Sequence, residues 1–302
     1  MKLQEALREI QSLKKKVRQL SREIESIKAV SIEDPSPVEK MLRMRGIKIF
    51  RKNPFEHLFF PPDLSPFYKI RFYELMKKYS FRLVLRDMIK FQDRFRIQDL
   101  THYCSSKVVQ GYCNLLCEMG AIKKNGRGKY RTQVSPLYSF GPTLEWFIAE
   151  MFKREFASPA IYGVSVKKTP SGGDYDIISS WNQRLVYAEV KSSPPKGVEQ
   201  NEISTFFSRM DDILPDVAIL FNDTQLRMKD KLVVMFEKEL ERRYGRESKT
   251  VYPVERLFEE LFHVQNRIFI INSKKDVAEN FQFCLKHYLR DKAWRMAHSA
   301  KR

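Results

Sequence analysis

Histidine and cysteine are scarce in this chain, at five and four residues among 302. The histidines (His57, His102, His263, His287 and His298) are scattered, and none stands at a metal-binding or catalytic spacing from another. A zinc site needs nitrogen and sulfur donors close together in the chain, and that material is missing. Cys104, Cys113, Cys117 and Cys284 match no familiar cluster-binding pattern. Cys113 and Cys117 lie one helical turn apart and read as core thiols. No apolar run is long enough to cross a bilayer, which excludes a membrane-spanning helix. No amphipathic basic helix with bulky apolar anchors and no lipidation signal is present, which argues against a membrane surface. The amino terminus is charged from Lys2 onward, unlike a secretory leader. Reduced cysteines and a cytoplasmic location are the expectation. Asn125-Gly126-Arg127-Gly128 is glycine-rich, but no Gly-Lys-Ser/Thr follows, so it is not a phosphate loop.

Acidic residues are also in short supply, 37 against 55 Lys and Arg, for a net charge of +18. The imbalance is local. Residues 1–135 carry 29 basic and 14 acidic residues, whereas residues 136–302 carry 26 and 23. Charge concentrated in one half suits contact with a polyanion, and nucleic acid, DNA first, is the leading partner. Hydrophobic residues at 43% and aromatics at 13% supply a core and exclude disorder as the dominant state.

Residues 1–30 show a heptad pattern. Leu3, Ala6, Ile10, Leu13, Val17, Leu20, Ile24 and Ile27 are spaced alternately three and four apart, with polar residues between. Branched residues alternate with mainly leucine, which favours a two-stranded parallel coiled coil and a homodimer through residues 3–27. The alternative is that this helix packs on its own chain. Residues 31–66 form a connector, broken by Asp34-Pro35-Ser36-Pro37, Asn53-Pro54 and Pro61-Pro62, with a short helix at 38–45. Phe50, Phe55, Leu58, Phe59 and Phe60 are too apolar for a free linker.

Residues 67–135 read as three helices (68–79, 81–91 and 97–103), a fourth helix at 107–119 ended by Gly120, and a basic hairpin turning at Asn125–Gly128. This order resembles the winged helix-turn-helix family over about seventy residues. The resemblance implies that Ser106, Lys107, Gln110 and Asn114 face the major groove. Lys123, Lys124, Arg127, Lys129 and Arg131 of the wing would meet phosphates. A winged helix used for protein contacts is the alternative.

Residues 141–302 alternate helix and strand: helix 143–156, strands 161–168, 175–180 and 185–191, helix 198–213, strand 216–221, helix 225–244, strand 267–272 and helix 276–297. Gly172-Gly173-Asp174-Tyr175-Asp176-Ile177-Ile178 is followed by Leu185-Val186-Tyr187-Ala188-Glu189-Val190-Lys191. Charges at the end of an apolar strand are costly unless paired or bound to metal. Glu189 and Lys191, two apart, share a strand face, and a hairpin turn at 181–184 returns Asp176 alongside. Two carboxylates and an ammonium so placed can hold Mg²⁺ or Mn²⁺, activate water and stabilise a phosphoryl transition state. The lysine can orient that water or help deprotonate it.

Asp176, twelve intervening residues and Glu189-Val190-Lys191 resemble the PD-(D/E)xK nuclease superfamily, in its Holliday-junction-resolvase and restriction-endonuclease-like branches. No proline precedes the aspartate. The likeness covers residues 141–222. It implies an α/β fold with a restriction-endonuclease-like mixed sheet flanked by helices. The coiled coil and an α+β winged-helix domain precede it. It also implies Glu145 as a catalytic acid on the preceding helix, and metal held by Asp176, Glu189 and the Val190 carbonyl. Asp174 competes with Asp176 for the metal, or acts as an electrostatic neighbour. Gln200 and Glu202 on the next helix are weaker candidates for orienting a metal-bound water. The expected activity is Mg²⁺-dependent DNA endonuclease, acting as a dimer on duplex or branched DNA. The alternative is a DNA-binding regulator or assembly adaptor whose nuclease-like domain is inactive.

Overall fold

The computed structural model describes residues 35–299 except 93, 127, 135, 136 and 168, together with residues 9, 10, 13, 16, 17 and 20. Of the 3–27 seam, Ile10, Leu13, Val17 and Leu20 are described; they are helical and between 48% and 62% exposed. The rest of that seam, and Arg127 of the hairpin, lie outside the described residues.

Helix α1 (Pro37–Met44) opens with Pro37 and a reciprocal cap. The Glu39 amide donates to the Ser36 hydroxyl, and the Ser36 amide donates to the Glu39 carboxylate. The connector then holds a strand that the sequence pattern does not reveal, β1 (Ile49–Arg51). Helices α2 (Pro66–Met76), α3 (Tyr79–Phe91) and α4 (Ser106–Glu118) follow. Between α3 and α4 the expected third helix at 97–103 is only a single 3₁₀ turn, Ile97–Leu100. Strands β2 (Ile122–Asn125) and β3 (Lys129–Thr132) form the basic hairpin, and Phe95 adds a bridge to Tyr130.

The carboxyl-terminal half contains α5 (Gly141–Glu155), β4 (Ala160–Val166), β5 (Asp174–Trp181), β6 (Arg184–Lys191), α6 (Gln200–Ile213) and β7 (Val217–Asn222). After these come α7 (Val234–Tyr244), the short α8 (Ser248–Val251), β8 (Val254–Phe258), β9 (Leu261–Val264), β10 (Ile268–Asn272) and α9 (Val277–Ser299). One eight-stranded sheet runs β1-β4-β5-β6-β7-β10-β9-β8. Strands β4, β5 and β6 are successively antiparallel, and β6, β7 and β10 are parallel. The fold is α/β with a mixed sheet flanked by helices, as the sequence led us to expect. The helix-strand-strand-strand-helix-strand order of residues 141–222 is the order found. The helix expected from residue 225 starts later: a π-helical turn, Lys229–Val233, precedes α7. The β8–β9 hairpin was not anticipated.

Apolar clusters cover both faces of the sheet. One face carries Ile177, Val186, Ala188, Ile219 and Phe269 against α2 to α5 and α9, in a core that also takes in Leu58, Phe72, Phe81, Leu116 and Tyr130. The opposite face carries Tyr175, Ile178, Tyr187, Leu220 and Ile270 against α1, α6 and α7. A buried ion pair ties the amino-terminal helices to the sheet. Arg82 of α3 reaches both Asp223 carboxylate oxygens with its Nε at 3.0 Å, and Arg86 reaches Oδ2 at 2.5 Å. Ser273 donates a further hydrogen bond to Asp223. Burial works against the Asp223 carboxylate, but the two guanidinium groups outweigh it and hold its pKa below the usual range. Among the described residues, no helix is long and apolar enough to cross a membrane.

Candidate active site

Strands β5 and β6 form a hairpin through Asn182 and Gln183, both in the left-handed conformation that a two-residue turn requires. Their ladder runs from Trp181↔Arg184 to Ile177↔Ala188 and stops. The next position in register sets Asp176 against Glu189. Here the strands part, because β5 continues with β4 while β6 continues with β7. The Val190 amide beyond the last β5–β6 pair is taken up by the Asp176 side chain, whose Oδ2 accepts from it at 2.8 Å.

Gly163 sits on β4 in the register position facing Asp176, at φ +52°. Around it the alternation of side chains breaks. Tyr162 and Val164 lie on opposite faces of the sheet, as do Tyr175 and Ile177, although residues two apart in a regular strand share a face. A Cβ at Gly163 would come 2.7 Å from the Pro54 ring and 3.6 Å from Glu145 Oε2. The glycine therefore serves both the local reversal and the close approach of Glu145.

Five residues named from the sequence meet here. Glu189 is buried, and Lys191 Nζ stands 3.1 Å from its Oε1. Glu202 of α6 also pairs with Lys191, at 2.8 Å. Glu145 approaches from α5. Its pKa rises to about 7, first through burial, then through the negative charges of Glu189 and Asp174, with Arg209 and Lys191 offsetting part of this. Burial raises Asp176 well above the usual range, reinforced by Glu189 and Glu145. Burial alone would lower Lys191, but Glu189, Glu202 and Asp176 outweigh it and raise its pKa above that of a free lysine. These carboxylates favour the ammonium form of Lys191, which suits orienting and charge stabilisation. Asp174 stands apart on the exposed edge, hydrogen-bonded to Ser165. Gln200 points elsewhere and donates to the Met235 carbonyl at 3.0 Å.

Sequence reading missed Arg209. Its Nη1 donates to both Glu189 oxygens, at 2.9 and 2.7 Å, and its guanidinium lies 5.8 Å from the Tyr175 ring centroid. Gly173 leaves room for it, since a Cβ there would lie 3.1 Å from Nη2. Tyr187 donates to Glu189 as well. Arg209 follows Glu202 by seven residues, two helical turns, so both project from one face of α6 toward β6. That spacing, in the helix after the lysine strand, was the available signal.

The donors are hard oxygens without sulfur or imidazole, the kind that suits Mg²⁺ or Mn²⁺. Burial is the largest cause of the raised pKa values of Glu145 and Asp176, and the neighbouring carboxylate charges add to it. Among the described residues, no three or more His, Cys, Asp or Glu are grouped so as to hold a metal ion as they stand. Arg209 occupies both oxygens of Glu189. The oxygen donors suit a divalent ion in kind, and Arg209, Lys191 and Tyr187 hold the Glu189 oxygens.

In the amino-terminal half, Ser106, Lys107 and Asn114 are exposed on α4. Gln110 Nε2 bonds Asn114 Oδ1 at 2.7 Å and the Tyr130 hydroxyl at 3.3 Å, joining α4 to the hairpin. Lys123, Lys124 and Arg131 are exposed, and Lys129 is partly so. Cys113 and Cys284 are buried, and burial pushes the Cys113 thiol up to about 12.

No protein-family profile matches this chain. No curated protein matches it by sequence. Among solved structures, protein VC1899 from Vibrio cholerae is similar, with a TM-score of 0.42 and 14% identity over 64% of this chain and 53% of that one. Can2 from Sulfobacillus thermosulfidooxidans, solved with cyclic tetra-adenylate, gives a TM-score of 0.40 and 13% identity over 63% and 52%. The likeness thus spans about half the length of each.

Proposed function

We propose that the chain is a metal-dependent DNA endonuclease of the PD-(D/E)xK kind, acting as a dimer. The observation that carries this reading is the convergence of Glu145, Asp176, Glu189 and Lys191 where β5 and β6 part. Asp176, Glu189 and the Val190 carbonyl would hold Mg²⁺ or Mn²⁺, with Asp174 outside the pocket as an electrostatic neighbour. A divalent ion bound there would polarise the phosphodiester and make water a better nucleophile. Lys191 places a fixed positive charge beside the phosphoryl oxygens. Glu145, with a pKa of about 7, can hold or release a proton near neutral pH. Glu202 keeps Lys191 charged and aimed.

The helices and hairpin of residues 67–135 supply a winged-helix surface for duplex or branched DNA. The Gln110 contact with the Tyr130 hydroxyl, which joins α4 to the basic hairpin, and the Phe95–Tyr130 bridge, which joins the segment after α3 to it, support this. Four half-exposed apolar side chains, Ile10, Leu13, Val17 and Leu20, support pairing of two chains through residues 3–27. A dimer would bring two sites to one substrate. A second reading, a DNA-binding regulator with an inactive nuclease-like domain, draws on Arg209 and its hold on both Glu189 oxygens.

Incubating the protein with linear, supercoiled, single-stranded and four-way-junction DNA, each with Mg²⁺, Mn²⁺ or EDTA, separates the two. Cleavage that needs the metal and disappears in Glu189→Gln supports the nuclease. Binding without cleavage under any metal supports the regulator.

A further inference from the structure

Next to the carboxylate site, the surface carries aromatic rings that the reaction does not use. Phe55 is 59% exposed and Tyr138 is 78% exposed. Large apolar rings left open in a small area mark contact surfaces. His57 packs against Tyr138 with ring centroids 5.2 Å apart. Both segments lead directly to Glu145. Tyr138 precedes Gly141, where a Cβ would lie 3.7 Å from Glu145 Oε1, and Pro54 touches Gly163 on the other side of the same carboxylate.

The loop carrying Phe55 and His57 is fastened in place. The Asn53 amide donates to the Tyr162 carbonyl at 2.7 Å, and the Tyr162 amide donates to Asn53 Oδ1 at 3.0 Å. The Tyr162 hydroxyl donates to the Pro54 carbonyl, and the Phe59 amide to Thr143 Oγ1 of α5. Asn53 and His57 are both held in the left-handed conformation, at φ 51° and 69°. A rigid loop presents its rings at little further entropic cost. A half-open hollow of about 550 Å³ is lined by Phe55, Glu56, His57, Phe60, Gln133 and Val134, among others. Gln133 and Val134 leave the basic hairpin directly after Arg131 and Thr132. Arg131 of the hairpin thus stands two residues along the chain from Gln133 in the wall of the hollow, and Pro54, next to Phe55, reaches the Gly163 position beside Glu145. The one charged side chain in the lining, Glu56, is paired with Arg51 at 3.0 Å, which offsets its charge toward a phosphate backbone.

We propose that Phe55, His57 and Tyr138 form a stacking platform for unpaired DNA nucleotides, leading a single strand from the basic hairpin into the carboxylate site. Paired bases hide their faces within the duplex, whereas an unpaired base offers its face to an aromatic ring. The hairpin cations hold the backbone of the same strand. The destination of the strand rests on the nuclease reading; the stacking does not.

The test uses the full chain in EDTA, so that binding is read without cleavage. Fluorescence anisotropy with labelled oligo(dT), oligo(U) and a blunt duplex compares the native protein with Phe55→Ala/Tyr138→Ala. Both side chains are exposed, so the double variant should keep its thermal unfolding midpoint. Oligo(dT) affinity should fall on the order of tenfold or more, and duplex affinity by less than about twofold. Phe55→Trp should retain oligo(dT) affinity, and its emission should be quenched on binding. Unchanged oligo(dT) affinity in the double variant, or an equal loss for duplex, overturns the proposal. Tighter binding of oligo(U) than of oligo(dT) overturns its assignment to DNA. Metal-dependent cleavage with platform-independent binding removes this proposal alone. Platform-dependent binding with no cleavage under any metal upholds it and removes the nuclease reading.

Discussion

Replacing Glu145 by glutamine exposes the electrostatic cost of the site. Burial and the neighbouring Glu189 and Asp174 charges move the Glu145 pKa from 4.5 to about 7. The folded chain thus binds the proton more tightly than the unfolded chain. For a raised carboxyl pKa, the stabilisation is complete below about 4.5 and is lost as pH rises through about 7. At about 1.4 kcal/mol per pKa unit, the loss is at most about 3.5 kcal/mol by pH 8. Glutamine is neutral throughout and close in shape. In urea unfolding monitored by circular dichroism in EDTA, Glu145→Gln should match the native protein near pH 4 and exceed it progressively up to pH 8. Asp176 is raised in the same sense and partly by Glu145 itself, so the difference between the curves reports Glu145 together with its coupling to Asp176. A difference that does not vary with pH, or that favours the native protein at pH 8, would refute this reasoning.

Other perturbations have defined outcomes. Arg82→Met leaves the buried Asp223 with Arg86 as its one remaining cation; urea unfolding should show a loss of about 3–5 kcal/mol. Gly163→Ala forces a side chain into a left-handed backbone position 2.7 Å from Pro54 and should destabilise by about 2 kcal/mol or more, measured in the same way. Lys191→Met should lower metal-dependent cleavage by roughly a hundredfold or more in a single-turnover assay, with the protein still folded. Neutralising Lys123, Lys124 and Arg131 should flatten the salt dependence of DNA binding by about one in log-log slope for each phosphate that the variant no longer neutralises.

The carboxylate strand was legible because Glu189 and Lys191 interrupt an apolar run where charge is expensive. The hairpin bringing Asp176 alongside needed only a short turn between two strands. Glu145 came from the resemblance to a nuclease superfamily, because a glutamate on an amphipathic helix is otherwise ordinary. Arg209 stayed hidden because α6 carries several charges, and only its packing against β6 selects this one. The Arg82–Asp223 pair joins residues 141 apart in sequence, and local pattern has no means of matching them. Strand β8 was missed because most of its residues are exposed or half-exposed at the sheet edge, without the alternation that marks a half-buried strand. The break in alternation at Gly163 was equally invisible: a glycine inside an apolar strand signals a bend without saying which side chains it turns.

If the proposed function holds, the carboxylates at the parting of β5 and β6 form one cation site. Isothermal titration of the metal-free protein with Mn²⁺, beside Asp176→Asn and Arg209→Met, tests this without any substrate present. Saturable binding by the native protein is expected, abolished or at least tenfold weaker in Asp176→Asn and tighter once Arg209 no longer holds Glu189. Native protein that binds no Mn²⁺, or binds it equally well after Asp176→Asn, would contradict the account.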